Sequence, residues 1–437
     1  MSPKPPLLEK LVVTGGARLE GTVDVSASKN AALPILAATL LTSDKCSIPN
    51  APNLRDIRTM GALLMELGCE VSRDDKSGLV IHPRDLTKNT ATYGLVSQMR
   101  ASISVLGPLV AMRGEAKVSF PGGCVIGQRP VDLHLKGLRA LGADIDIAGG
   151  YIEAKAKRLK GGKVYMGGPF GSTVLGTANV MSAATLAKGT TVIECAACEP
   201  EIVDLAECLI AMGARIFGAG SPTVTIEGVE RLKGFRHNVI PDRIEAGTFL
   251  IGAAMTGGDV TVKGANVNHL GALVDLLERL DVEVKGSRRQ VRAVGQAASR
   301  PVDVVTLPYP GFPTDLQAQM VSLLSRADGI SVVTEKIYPE RFMHVPELAR
   351  MGADIRKEGP SVIVHGVDEL SGTTVMASDL RASAALVLAG LVAKGHTEVL
   401  RAYHIDRGYE NIEQKMQGLG ATVTREMYQQ EPSPSIP

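Results

Sequence analysis

Apolar residues along this chain fall into two recurring patterns. Six stretches are apolar at nearly every position: NAALPILAATLL, ASISVLGPLVA, TANVMSAATLA, EAGTFLIGAAM, TDLQAQMVSLL and LRASAALVLAG. A helix with no polar face belongs inside, so these predict six buried helices. Between them run six amphipathic segments that close on one signature: MELGCEV, RALGADI, IAMGARI, ERLDVEV, ARMGADI and QGLGATV. In each, helical periodicity predicts a half-exposed helix, the pivotal residue a left-handed cap, and the alternation after it a short strand. The pivots are Gly68, Gly142, Gly213, Asp281, Gly352 and Gly420, spaced 74, 71, 68, 71 and 68 positions apart.

So regular a period describes a unit of about 70 residues with one buried helix, one half-exposed helix and a few strands, which cannot bury its faces alone. A chain of 437 residues exceeds the roughly 250 to 300 that a single core supports. The economical arrangement is two lobes of three units, with sheets outside, buried helices toward each centre and a cleft between. Turn-rich SASKN at 26–30 and Pro-containing HNVIPDRIE at 237–245 are the candidate crossings. They divide the chain into lobe one at 30–240 and a discontinuous lobe two at 1–29 plus 241–427. The polar, proline-rich end, 428–437, predicts a disordered tail.

Hydrophobic residues at 45% and charged residues at 21% place the chain in the globular class. With 3% aromatics and no Trp, its cores must use Leu, Val, Ile, Ala and Met. The 47 basic and 46 acidic residues leave a net charge of +1, which gives no general attraction to nucleic acid or anionic membranes. An anionic ligand must be held by local clusters. The start, MSPKPPLLEK, lacks a signal-peptide apolar core and no apolar run spans a membrane, so the expectation is a cytoplasmic protein without membrane insertion. Its six cysteines, 46, 69, 124, 195, 198 and 208, then read as reduced thiols.

Local chemistry concentrates in PGGCVIGQRPVDLH, residues 121–134. Gly122, Gly123 and Gly127 make this a pliable loop, and Arg129 favours the thiolate of Cys124, the condition for a reactive cysteine. Cys46, Cys69 and Cys208 read as small buried hydrophobes, and the lone Cys195–Cys198 CxxC, without a second pair, as structural. Lys29, Arg100 and Arg381 stand at the starts of buried helices, where helix N-termini and cations together attract anions. With Arg129, Arg341 and Arg407 they suit a small dianion carrying both carboxylate and phosphate. Asp315 precedes another buried helix, as a general base or as a first-turn carboxylate complementing the dipole. Glu199, Glu201 and Asp379 divide in the same way between caps and ligands. No HExxH, Walker A or Rossmann fingerprint is present.

SKNAALP, MRASISVLGPL, PGGCVIGQRPVDLH, PGFPTDLQAQ, RFMHVPEL, DLRASAALVLAG and HIDRGYE together resemble the UDP-N-acetylglucosamine enolpyruvyl transferases, in family order from about residue 8 to 427. These belong with the shikimate-pathway enolpyruvyl transferases, whose inside-out α/β barrel has two lobes of three repeated units each. The resemblance implies transfer of the enolpyruvyl group of phosphoenolpyruvate to the 3'-hydroxyl of UDP-N-acetylglucosamine by addition and elimination, releasing phosphate, as the first committed step of peptidoglycan synthesis. It implies no metal and no organic cofactor. Carried over by motif, Lys29 and Asn30 contact the substrates at the hinge, and Arg129, Arg341, Arg381 and Arg407 neutralise phosphate and carboxylate. Cys124 is the general acid at the methylene carbon and can also add to phosphoenolpyruvate; Asp315 takes the proton from the sugar hydroxyl. Arg100, the run Arg129, Pro130, Val131, Asp132, Leu133, the stretch Ser172, Thr173, Val174, and Asp315 and Ile337 line the UDP-sugar site. One departure is Leu175, where the family usually has Gly, which bears on the uridine pocket.

Three other readings compete. Transfer to shikimate 3-phosphate on the same fold needs no such thiol, and the cysteine loop and RPVDLH argue against it. A ring-shaped DNA clamp of six units needs a basic lining that the balanced charge does not supply. An inactive UDP-sugar-binding copy would have lost Cys124, Asp315 or the arginines, and all are present.

Overall fold

The structure, a computed structural model, describes residues 7–74, 76–121, 131–296 and 300–429. They divide into two compact units. The first comprises the described parts of Ala27–Asp242 with Pro308–Pro310; the second, those of Met1–Ser26, Arg243–Leu307 and Gly311–Pro437. The crossings fall at 26/27 and 242/243 rather than at 29/30 and 240/241. The reason is local bonding: Ser28 N–H donates to the Ile240 carbonyl at 2.7 Å, Ala27 bridges Pro241, and Lys29 N–H donates to Asp242 at 3.3 Å.

In the first unit the apolar stretches form helices α1 (Lys29–Ala38), α2 (Leu106–Arg113) and α3 (Val174–Ala184). Ser28 caps α1 by accepting from Ala31 N–H, and every residue of α1 except Asn30 is buried. Helix α2 packs on α3 at a glycine, because a Cβ on Gly107 would lie 2.4 Å from the Asn179 carbonyl oxygen. Asn179 Oδ1 accepts the Gly107 N–H there at 2.6 Å. In the second unit α4 (Arg243–Thr256), α5 (Gln317–Leu324) and α6 (Leu380–Val392) pack on one another. All of α5 is buried, and α6 is buried from Leu380 to Leu391. Each unit has its own core, with α1 to α3 in one and α4 to α6 in the other.

Among the described residues, six sheets share one strand pattern. In Val304–Val305, Ile330–Thr334, Ser361–His365 and Asp354–Glu358, for example, the first pair is parallel and the next two antiparallel. Five of the six have four strands. The sheet of Cys46–Ile48, Gly78–Pro83 and Cys69–Asp74 has three, with a single parallel bridge from Ser47 to Arg236 at the fourth position. All six pivots have left-handed backbone: Gly68, Gly142, Gly213, Gly352 and Gly420 at φ between 85° and 104°, and Asp281 at 59°. The unit thus keeps its turn geometry even where the sequence departs from glycine.

The expected tail begins too early. Tyr428 and Gln429 end the strand Val423–Gln429, paired with Leu8 and Leu7 of Leu7–Thr14, and this backbone pairing carries the strand past 427. Residues 430–437 lie outside the described residues.

Candidate functional site

Cys124, Arg129 and Pro130 lie outside the described residues. The other predicted site residues divide between the two units.

On the second unit, Asp315 sits in the 3-10 turn Thr314–Leu316 that leads into α5. Its carboxylate accepts from Arg341 Nη1 at 2.8 Å and from Arg381 Nη2 at 2.9 Å, one oxygen to each. Both arginines are buried, with side chains 4% and 1% exposed, while Asp315 is 23% exposed. Burial opposes the charge on Arg341, but Asp315 and Asp379 outweigh it and raise its pKa. Arg381, expected near a helix start, is the second residue of α6, and its guanidinium lies 5.4 Å from the Tyr409 ring centroid. Asp379 proves to be a cap: its side chain accepts from the N–H groups of Arg381 at 2.7 Å and Ala382 at 3.1 Å. Arg407 ends the 3-10 segment Ala402–Arg407, which packs on α6. The close approach is made by Gly408, where a Cβ would meet Leu380 Cδ1 at 2.4 Å and Arg381 Nη1 at 3.4 Å. Asp315, Arg341 and Arg381 are therefore brought together, with Arg407 on the adjoining segment.

Glu335 is a residue that motif reading missed. Fully buried, its carboxylate accepts from the hydroxyls of Thr306 at 2.7 Å and Thr314 at 2.8 Å and from the N–H groups of Ile337 at 2.8 Å and Tyr338 at 2.9 Å. The signal was the alternation: Ser331 and Val333 point inward, and period 2 puts Glu335 on the same face. It fixes the predicted contact residue Ile337 and, through Thr314, reaches Arg341 Nη1, which donates to the Thr314 hydroxyl at 3.0 Å. His344, also buried, has its pKa pushed down to about 4 by burial.

On the first unit, Lys29 opens α1 next to Asn30, and its Nζ donates to the buried Asp56 at 3.2 Å. Asp56 and Asp242 are further carboxylates that motif reading did not single out. Arg100 opens the 3-10 segment Arg100–Val105, and Val131 and Asp132 lead into the helix Asp132–Ala140. These two regions meet at His134. Its ring is buried, Asn179 Nδ2 lies 3.0 Å from its Nδ1, and Arg100 adds to the burial that pushes its pKa down to about 3. An imidazole that stays neutral accepts this amide N–H at Nδ1. Leu133 packs on the hairpin Gly167–Gly168 and Gly171–Ser172, since a Cβ on Gly168 would lie 3.1 Å from Leu133 Cδ1. Thr173 caps α3, accepting from Gly176 N–H at 3.2 Å. Val174 and Leu175 are half-buried against the core, so the extra side chain at 175 is part of the packing.

Among the described residues the remaining thiols are free. Burial pushes Cys46 up to about 12 and Cys69 to about 11 and raises Cys198 and Cys208, so these sulfurs stay protonated. Among the same residues no cluster of three or more His, Cys, Asp or Glu is placed to hold a metal ion, and no helix is long and apolar enough to cross a membrane.

A mixed α/β chain with arginines buried around a carboxylate is suited to anion chemistry, and comparison with known proteins defines the class. The family model described as EPSP synthase (3-phosphoshikimate 1-carboxyvinyltransferase) matches residues 13–416. The chain belongs to this family and is a carboxyvinyltransferase. Among curated relatives, a UDP-N-acetylglucosamine 1-carboxyvinyltransferase of Anaeromyxobacter sp. is 54% identical over 96% of this chain and 100% of its own. One of Desulfosudis oleivorans is 51% identical over 96% and 99%. Among solved structures, the enolpyruvyl transferase NikO from Streptomyces tendae matches with a TM-score of 0.85 at 24% identity, over 97% of this chain and all of that one. An EPSP synthase from Acinetobacter baumannii matches with 0.70 at 17%, over 96% and 100%. At those identities the solved structures establish the fold alone.

Proposed function

We propose that this chain transfers the enolpyruvyl group of phosphoenolpyruvate to the 3'-hydroxyl of UDP-N-acetylglucosamine, releasing phosphate, in peptidoglycan synthesis in the cytoplasm. The observation that carries this reading is identity above one half, over nearly the whole chain, to two transferases named for that acceptor. The buried arginines around Asp315 add chemical support.

In this reading Cys124 delivers a proton to the methylene carbon of phosphoenolpyruvate, which makes the adjacent carbon electrophilic. Asp315 takes the proton of the sugar hydroxyl as its oxygen bonds to that carbon. The tetrahedral intermediate then loses phosphate and a methyl proton, which restores the double bond. Arg129, Arg341, Arg381 and Arg407 neutralise the phosphate and carboxylate throughout, and Lys29 and Asn30 bind at the crossing. A guanidinium fork matches both anions, and preorganised cations stabilise charge where it develops. Arg100, the 130–133 run, Ser172, Thr173, Val174 and Ile337 contact the nucleotide sugar. The shared strand pattern of six sheets and the six left-handed pivots support six repeated units. We read them as three per lobe in an inside-out α/β barrel, with the lobes following the two units.

The test is phosphate release from phosphoenolpyruvate with UDP-N-acetylglucosamine or shikimate 3-phosphate as sole acceptor. Release with the UDP-sugar alone is expected. Release with shikimate 3-phosphate alone would move the chain to the other branch of its family.

A further inference from the structure

We propose that Glu335 and Thr314 form a positioning relay that sets the orientation of Arg341 toward Asp315 while fixing the backbone at Ile337. This rests on the reaction proposed above and adds to it a control of geometry lying behind the reacting groups. Neither residue is assigned contact with a substrate.

The relay is read from four linked observations. Glu335 is fully buried, and a carboxylate in that position is retained only when its lone pairs are filled. Four donors satisfy it, three at one oxygen and Thr314 at the other, and they come from three segments: Thr306, Thr314, and the chain at Ile337 and Tyr338. The Thr314 hydroxyl therefore spends its proton on Glu335 and turns a lone pair outward. That lone pair accepts Arg341 Nη1 at 3.0 Å, and the same nitrogen donates to Asp315 at 2.8 Å. A carboxylate can only accept, so the polarity of the relay is fixed from one end to the other. The arrangement also ties two functions to one side chain. The Ile337 N–H and the Thr314 hydroxyl bond different oxygens of Glu335, so the backbone proposed for the sugar and the arginine beside the proposed base move as one body.

Three variants test this. Thr314→Val keeps the shape but removes the hydroxyl, Thr314→Ser keeps the hydroxyl, and Glu335→Gln can place an amide N–H donor where Thr314 now finds an acceptor. Misplacement on the order of 1 Å costs about 100-fold in rate. We expect Thr314→Val and Glu335→Gln to lower kcat per folded molecule by about ten- to a hundredfold, beyond the fall in melting temperature that an unpaired buried polar group brings. Thr314→Ser should restore kcat, and the Val/Gln double variant should be no slower than the worse single one, because both break one relay. A role limited to stability would lower the melting temperature and leave kcat per folded molecule unchanged, and that result overturns the proposal. Additive losses, or failure of Thr314→Ser to rescue, overturn it equally. Absence of phosphate release by the unmodified chain with UDP-N-acetylglucosamine would instead overturn the parent reading.

Discussion

Asp315 contacts the guanidinium groups of both Arg341 and Arg381, so removing it probes both structure and chemistry. Leaving one member of a buried ion pair unpaired costs about 3–5 kcal/mol. Because Asp315 is 23% exposed, water offsets part of this, and we take about 3 kcal/mol for Asp315→Ala. A domain of about 200 residues melts roughly 2–4 °C lower per kcal/mol, so calorimetry should find the second unit about 6–12 °C less stable. Inorganic phosphate is the diagnostic ligand. Where the carboxylate is gone, an added anion can take its place between the arginines, and at 100 times its dissociation constant it returns about 2.7 kcal/mol. The Ala variant should therefore gain more melting temperature from phosphate than the parent does. Asp315→Asn keeps one acceptor and should lose less stability, yet as a non-base it should lose about 10²–10⁴-fold in kcat. The reasoning is refuted if Asp315→Ala melts like the parent with no added response to phosphate, and the base role is refuted if Asp315→Asn retains kcat within about threefold.

Further predictions concern folding, pH and the cysteine loop. At Gly142 nothing lies within 4 Å of an added Cβ, so Gly142→Ala should cost only left-handed strain of about 1–2 kcal/mol; at Gly68 the Cβ would sit 2.2 Å from the Asp85 carbonyl oxygen, so Gly68→Ala should cost clearly more in urea unfolding. Burial depresses His134 and His344 to about 3 and about 4 from 6.5, so below pH 6.5 the unfolded chain binds protons that the folded chain refuses. Stability is then full above pH 6.5 and falls as pH drops toward those values, by about 1.4 kcal/mol per unit for each ring; in urea titrations between pH 6.5 and 4.5, His134→Gln should show a shallower slope than the parent. An epoxide phosphonate that mimics phosphoenolpyruvate should alkylate Cys124 and abolish phosphate release while sparing Cys124→Asp; full activity after complete alkylation there would remove the cysteine from the mechanism.

What the chain disclosed of its own fold was whatever repeats locally. The buried helices and the pivots rest on periodicity within a dozen residues, and α1 to α6 with the six left-handed turns follow from it. Asp281 shows the rule working without glycine: an Asp tolerates left-handed backbone better than most residues, and the following strand, Glu283–Gly286, still forms. Boundaries were less legible where pairing is remote. Nothing near Tyr428 announces that Leu8 needs a partner, and the bonds that hold Ala27 to Lys29 come from residues beyond position 239.

The site was legible as a list of residue types and illegible as an arrangement. Asp315 reads from sequence as either base or dipole carboxylate, and nothing near it in the chain announces its two guanidinium partners, 26 and 66 positions away. Asp379 posed the same question, and its acceptors face the first N–H groups of its own helix. The difference lies in reach: the cap bonds backbone within three residues, whereas Asp315 pairs with charges the fold brings from elsewhere. By that criterion Glu335 was hidden for a third reason. Its four partners are two hydroxyls and two backbone amides, which carry no charge and form no motif, so only the inward step of the strand alternation marks it. A residue whose work is to orient charged groups need not resemble them, which is why the relay through Thr314 had to be found by following the hydrogen bonds of a buried carboxylate outward to the arginine it serves.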